Sequence, residues 1–208
     1  MTNITPRYEF RAFAHSFDAI SAKMKELAKE ELSREISEIY LMTAANSENN
    51  IKIRNKKMDI KVLVQTKNDL EQWLPELIGE FPMKSEILEN EVFPALGVPA
   101  PVFEKKDYTL KEFITCIVKD DPDVVAAHTR KIRHAFTINN CICEIADVFV
   151  NGAFIQTIAI ESEKPELVSE TKELLGFTDE ENVNYPQAIK RIIGLEDWPN
   201  EYDWKKNK

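Results

Sequence analysis

The sequence predicts an α+β protein with antiparallel strands. Three observations lead there. Alternating side chains recur near the N-terminus and again from Val124 onward. A block with helical periodicity separates the two β regions. Asn151-Gly152 sits between Val148-Phe149-Val150 and Ala153-Phe154-Ile155, a two-residue hairpin signal, because both turn residues tolerate positive φ.

Each element follows in order. Arg7 to Ala14 is the first strand. Ser16 then caps a helix in which Phe17, Ile20, Met24 and Leu27 recur at helical spacing. Ser37 to Thr43 is the second strand, and the Asn- and Ser-rich stretch Ala45 to Asn50 is a loop. Ile51 to Arg54 and Asp59 to Val64 form a hairpin. The period turns helical over 66–118. Leu70, Trp73, Leu74, Leu77 and Ile78 make one stripe, ended by Gly79. Ile87, Leu88, Phe93 and Leu96 make another, ended by Gly97. Pro99 to Tyr108 is a loop. Thr109 to Glu112 is a capping box ahead of Phe113, Ile114 and Ile117, with Cys116 in the same stripe. The β pattern returns at Val124 to Thr137 and Cys141 to Ile160. Helices follow near Pro165, ending at Gly176, and from Tyr185 to Ile193, ending at Gly194. The expected organisation is one domain over 1–208, with a helical insertion over 66–118 and a charged tail over 196–208.

Composition narrows the function. The chain has 208 residues, 43% of them apolar, enough for a sizeable core. Its 27 Lys plus Arg against 36 Asp plus Glu give a net charge of −9, a poor basis for neutralising nucleic-acid phosphates. No apolar run reaches the roughly 18 residues of a membrane-spanning helix. The N-terminal residues lack the pattern of a signal peptide. Three cysteines do not make a disulfide framework. These features point to a cytoplasmic protein without nucleic-acid or membrane partners. Neither a Gly-rich phosphate loop nor a G-x-S-x-G elbow is present. His15, His128 and His134 are scattered. Cys141 and Cys143 share a strand face but are too few for a zinc site. Trp198, Tyr202 and Trp204 in the tail are candidates for docking.

The charges are ordered by the alternation. Side chains two apart on a strand share a face. In the first hairpin this puts Lys52, Arg54, Asp59 and Lys61 on one face, with Arg54 expected opposite Asp59 and Lys52 opposite Lys61. Two opposed ammonium groups are unfavourable unless an anion lies between them. In the second hairpin Glu144 faces Ala159, with Glu161 diagonal, so the two glutamates are close enough to share a divalent cation. Glu9 and Arg11 share a face, as do Lys131 and Arg133. Such faces are ordinarily solvated. If they all point inward instead, the sheet closes around a polar interior. Arg11, Lys52, Arg54, Lys61, Lys131 and Arg133 then line it, opposed by Glu9, Asp59, Glu144 and Glu161.

In this arrangement the chain resembles the CYTH superfamily of triphosphate tunnel metalloenzymes. Glu9-Phe10-Arg11-Ala12-Phe13 stands where that family has E-x-E-x-K, and Glu38-Ile39-Tyr40-Leu41 where it has D-x-Y. Ile51-Lys52-Ile53-Arg54, Asp59-Ile60-Lys61 and Lys131-Ile132-Arg133 resemble its L-R-I-R, T-x-K and K-x-R. Glu144-Ile145-Ala146-Asp147 stands near its acidic strand. Ala159-Ile160-Glu161, followed by Leu174-Leu175-Gly176, resembles its E-I-E segment and the helix after it. Tyr185-Pro186 and Ile192-Ile193-Gly194 fit its closing stretch.

The resemblance implies an eight-stranded antiparallel β tunnel flanked by helices. It implies a triphosphate held by Arg11, Lys52, Arg54, Lys61, Lys131 and Arg133, and Mg²⁺ or Mn²⁺ held by Glu9, Glu144 and Glu161. The sequence departs from the pattern on the acidic side. Arg11 replaces the second glutamate of the signature and Phe13 its lysine. In a register shifted by two, Arg7 replaces the first glutamate and Arg11 stands for the lysine. Ala159 replaces another glutamate. The expected function is binding of a triphosphate-containing small molecule or polyphosphate, in a tunnel shifted towards basic charge and with metal-dependent catalysis weakened or lost. The alternatives are a working triphosphatase or adenylate cyclase, and a non-catalytic interaction scaffold. A homodimer is compatible with each.

Overall fold

A computed structural model describes residues 5–177 and 180–197. Ten strands and five helical segments are present among them. In chain order the strands are β1 (Tyr8–Ala14), β2 (Leu32–Met42), β3 (Asn49–Arg54), β4 (Lys57–Lys67), β5 (Leu70–Glu80), β6 (Met83–Lys84), β7 (Asp107–Tyr108), β8 (Val125–Ile138), β9 (Cys141–Val150) and β10 (Ala153–Ser162). The helices are α1 (Asp18–Leu27), α2 over 85–96, α3 over 110–118, α4 (Pro165–Leu175) and α5 (Tyr185–Ile193). Eight strands close into an antiparallel barrel in the order β1-β10-β9-β8-β2-β3-β4-β5, and β6 pairs with β7 apart from it. No described helix is long and apolar enough to cross a membrane.

The barrel is turned inside out relative to an ordinary core. Along β1, Phe10 and Ala12 point outward into an apolar cluster with Met24 of α1 and Val168 and Leu175 of α4, while Glu9 and Arg11 point inward. Along β3, Ile51 and Ile53 face outward to Leu88, Phe93 and Phe113 of α2 and α3, while Lys52 and Arg54 face inward. Polar walls cannot supply folding energy, so helices must cover the apolar outer faces. Each fully buried Phe or Ile there contributes about 1.5–3 kcal/mol. A third cluster closes one end of the interior. Tyr185 and Ile189 of α5 pack there on Tyr40, Met42, Ala127, Ala146, Val148 and Val150.

The ring is weakest between β1 and β5, which share only the pairs Tyr8–Gln72 and Glu9–Glu71. Beyond them the chain over 180–183 takes the place of a strand. The Val183 N–H donates to the Arg11 carbonyl at 2.7 Å. Asn182 accepts the Arg11 N–H through its Oδ1 at 2.8 Å and donates to the Glu9 carbonyl at 3.3 Å.

Several sequence expectations hold in detail. Val150 pairs with Ala153 across Asn151-Gly152, whose φ values are 48° and 93°. Glu144 faces Ala159. The Thr109–Glu112 capping box is complete, and α4 and α5 end at Gly176 and Gly194.

Others are corrected. The stripe from Leu70 to Ile78 is strand β5, so the helical insertion shrinks to 85–96 and 110–118. Pro75 explains this. It would break a helix by removing an N–H and clashing with the preceding turn, whereas here it lies at a register shift opposite Lys61. The first hairpin turns on Asn55-Lys56, both with positive φ, so Lys52 pairs with Asp59 and Lys61 with Asn50. The expected Lys52–Lys61 opposition is absent. The slip is two residues, so every side chain keeps its face. The loop Pro99 to Tyr108 ends in β7. Ser16 does not form the expected cap at the helix boundary. Its Oγ accepts the Asp18 N–H at 3.2 Å, one residue before the capping position at Phe17. Cys116 is exposed, because the wide i→i+5 turn over Phe113–Val118 stacks Phe113 on Ile117 and Val118 and rotates it outward. Of the charged tail, 198–208 lies outside the described residues, and Trp198, Tyr202 and Trp204 with it.

Pro75→Ala tests the strand assignment. A strand bulge predicts a urea-denaturation change within about 1 kcal/mol. A helix interior would instead be stabilised by about 3 kcal/mol.

Candidate functional site

The inward faces meet in a polar cavity of about 110 Å³. Its walls hold all nine side chains singled out from the sequence: Arg11, Lys52, Arg54, Lys61, Lys131 and Arg133, with Glu9, Glu144 and Glu161. Asp59, expected beside them, is buried and accepts from Arg54 Nη2 at 2.8 Å.

The cavity also contains a carboxylate that the sequence reading left out of the site. Glu38 projects from the middle of β2 with a side chain 2% exposed. Lys131 Nζ lies 2.5 Å from it, Arg54 Nη1 3.7 Å and Lys52 Nζ 3.8 Å. Burial alone would raise its pKa, but Lys131, Lys52 and Arg54 outweigh burial and pull it down to about 2. Lys131 also donates to the Tyr40 hydroxyl at 2.7 Å. Burial lowers the pKa of Lys131 to about 7, against the pull of Glu38.

A second cluster forms across β1, β10, β9 and β8. Arg11 Nε donates to Glu9 Oε1 at 2.6 Å, and its Nη1 donates to Thr157 Oγ1 at 3.3 Å and lies 3.8 Å from Glu144 Oε1. Burial disfavours that charge, yet Glu9, Glu144 and Glu161 raise its pKa and keep it ionised. Arg133 grips the other side of Glu144 through Nε and Nη2. Glu144 stays ionised, because Arg11 and Arg133 overcome its burial. Glu161 sits opposite Glu9 in the β1–β10 register, and burial together with Glu9 raises its pKa.

The two clusters qualify the expected shift towards basic charge. Six basic side chains line the cavity against the four glutamates Glu9, Glu38, Glu144 and Glu161, two more basic groups than acidic ones. Five of the six are already in ion pairs. Among the described residues, Lys61 is the lining cation without an ion pair within 4 Å.

The proposed metal ligands do not fit Mg²⁺ or Mn²⁺. These hard cations need several converging carboxylate oxygens. The Arg11 guanidinium lies between Glu9 and Glu144, and both glutamates are committed to arginine. Among the described residues, no three acidic, histidine or cysteine side chains are grouped to hold a metal ion.

The sequence reading also missed Tyr40, Trp73, Asn50, Asn184 and Tyr185 as lining residues. Glu38 and Tyr40 were readable from their shared parity on β2. Trp73 was hidden by the helical reading of its segment. Its indole donates to Glu71 at 3.1 Å, and Asn184 donates to the same carboxylate at 2.9 Å.

No family model matches the chain, and no curated protein matches it. Solved structures do share the fold. HpAC1 of Hippeastrum, a candidate adenylyl cyclase described as having a dominant triphosphatase activity, is 14% identical over 89% of this chain and 95% of its own, with a TM-score of 0.50. A candidate adenylate cyclase of Bacillus halodurans is 10% identical over 86% of this chain and 95% of its own, with a TM-score of 0.53. The PH1012 protein of Pyrococcus horikoshii is 18% identical over 88% and 99%, with a TM-score of 0.50. The closed eight-stranded antiparallel tunnel that the resemblance implies is therefore present.

The Glu38 cluster makes stability depend on acid. A carboxyl held near pKa 2 contributes stability in full above its unfolded value of about 4.5 and loses it as pH falls towards 2. The melting temperature should fall across that window. Glu38→Gln removes the carboxylate shared by Lys131, Lys52 and Arg54, so it should cost up to roughly 3–5 kcal/mol at neutral pH, less as Lys131 sheds its proton, and flatten the acid limb. A variant with wild-type stability and an unchanged pH profile would contradict this assignment.

Proposed function

We propose that this chain binds a triphosphate or another phosphate-rich anion inside the barrel, with metal-dependent catalysis weakened or lost. The observation that carries the reading is the convergence of six cationic side chains from β1, β3, β4 and β8 on one cavity. An anion there forms charge-assisted hydrogen bonds in a poorly solvated space, where each is stronger than in water. Lys61 needs no partner removed. Arg54 and Arg133, with side chains 34% and 31% exposed, are the pairs best placed to turn towards an arriving anion. Lys52, Lys131 and Arg11 are more deeply buried and set the field.

The acidic wall supports the second half of the reading. With Glu9 and Glu144 engaged by arginine, Arg11 supplies fixed positive charge that can stabilise phosphate oxygens. A guanidinium does not acidify water, so it does not provide the nucleophile that hydrolysis requires. The likeness to HpAC1, whose description names a triphosphatase activity, keeps active hydrolysis as the reading to exclude.

Tripolyphosphate should raise the melting temperature, and the rise should survive an excess of chelator. Lys61→Ala, Arg54→Ala and Arg133→Ala should each shrink it. Phosphate release from tripolyphosphate or ATP, and cyclic AMP formation, should stay near background with Mg²⁺ or Mn²⁺ present. Metal-dependent turnover abolished by Glu161→Ala would reject the weakened-catalysis reading. No thermal shift at any tripolyphosphate concentration would favour the scaffold.

A further inference from the structure

Tyr185 is the first residue of α5, and Asn184 caps that helix by accepting the Gln187 N–H at 2.9 Å. Its ring is held on several sides. It stacks on Tyr40 with centroids 5.7 Å apart and meets Phe13 edge-on at 5.2 Å. The Arg11 guanidinium lies 4.6 Å from the ring centroid and the Lys131 ammonium 3.5 Å. The hydroxyl, by contrast, is buried without a hydrogen-bond partner among the described residues. Its neighbour Tyr40 accepts from Lys131 and lies within 3.4 Å of Glu38.

An unpaired buried hydroxyl destabilises the fold. A ring needed only for packing would be served by phenylalanine, as Phe13 shows in the same cluster. Tyr185 is one of the residues that line the cavity, together with Arg11 and Lys131. Burial, reinforced by Glu144 and Glu38, raises the phenol above its ordinary pKa, so it remains an O–H donor.

We infer that the Tyr185 hydroxyl is a ligand contact, donating a hydrogen bond to an oxygen of the bound anion and so coupling occupancy of the cavity to docking of α5. This rests on the anion-binding reading above. Arg11 and Lys131, which lie over the ring, line the same cavity and favour negative charge beside it. The phenol belongs to the first turn of α5, so the contact ties that helix to the barrel interior.

Tyr185→Phe removes the hydroxyl and keeps the ring. The empty variant should melt at or above the wild-type temperature, because an unpaired polar atom is gone. Its tripolyphosphate affinity, measured by calorimetry, should weaken about tenfold, the scale of a hydrogen bond to a charged group. Tripolyphosphate should slow hydrogen exchange of the α5 amides in the wild type and do so less in the variant. Affinity within twofold of wild type, with unchanged α5 protection, would overturn the role of the hydroxyl and leave the anion reading standing. A variant that melts well below wild type would overturn it too, by showing that the hydroxyl has a structural partner. A wild-type protein that fails to bind tripolyphosphate would overturn the anion reading and this inference with it.

Discussion

Ionised groups inside a closed barrel are tolerable only in each other's company, and most of this structure answers to that constraint. Removing a carboxylate or an ammonium from water costs several kcal/mol unless a partner compensates. Here the compensation is organised around two hubs. Glu38 gathers Lys52, Arg54 and Lys131, and Arg11 links Glu9 to Glu144 with Arg133 beyond. With the interior given over to charge, the apolar side chains of the strands face outward. That is why α1, α4, α2 and α3 must pack on the outer surface of the barrel.

The same constraint ties the C-terminal segment to the site. β1 and β5 share only two residue pairs, so the backbone of Glu9 and Arg11 would be left partly unpaired at the seam. Asn182 and Val183 complete it and fix the strand that carries Arg11. Two residues later Tyr185 enters the barrel, and Ile189 follows in the apolar plug. The Arg11 guanidinium, held from its backbone, from Glu9 and from an aromatic ring, sits within the acidic wall. Its presence there, and not a shortage of glutamates alone, makes the wall a poor home for a divalent cation.

The alternation of charge and apolar side chains grouped the nine residues on shared strand faces before any strand order was known, and closure of the barrel turns those faces inward. It survived a register error, because Lys52 and Lys61 keep their face whether paired with each other or with Asp59 and Asn50. Local periodicity failed where two periods competed. Leu70, Trp73, Leu74, Leu77 and Ile78 follow helical spacing and split between the two faces of a strand that carries register shifts, so only Pro75 argued against the helix. The pairing of the cations was hidden for a different reason. Glu38 meets Lys131 across β2 and β8, ninety-odd positions apart in the chain, and no local pattern reports that β8 rather than β1 lies beside β2. Without that adjacency the interior reads as more basic than it is. Tyr185 was equally out of reach, since helical spacing alone does not say that α5 closes one end of the barrel.

The central claim is that the inner cations hold an anion without a metal ion. Side-chain nitrogen NMR during a titration with tripolyphosphate, in the presence of chelator, addresses it directly. The account predicts that the resonances of Lys61, Arg54 and Arg133 move together and saturate, while exposed Lys57 and Arg130 stay in place. Movement confined to surface groups, or none until Mg²⁺ or Mn²⁺ is added, would contradict it.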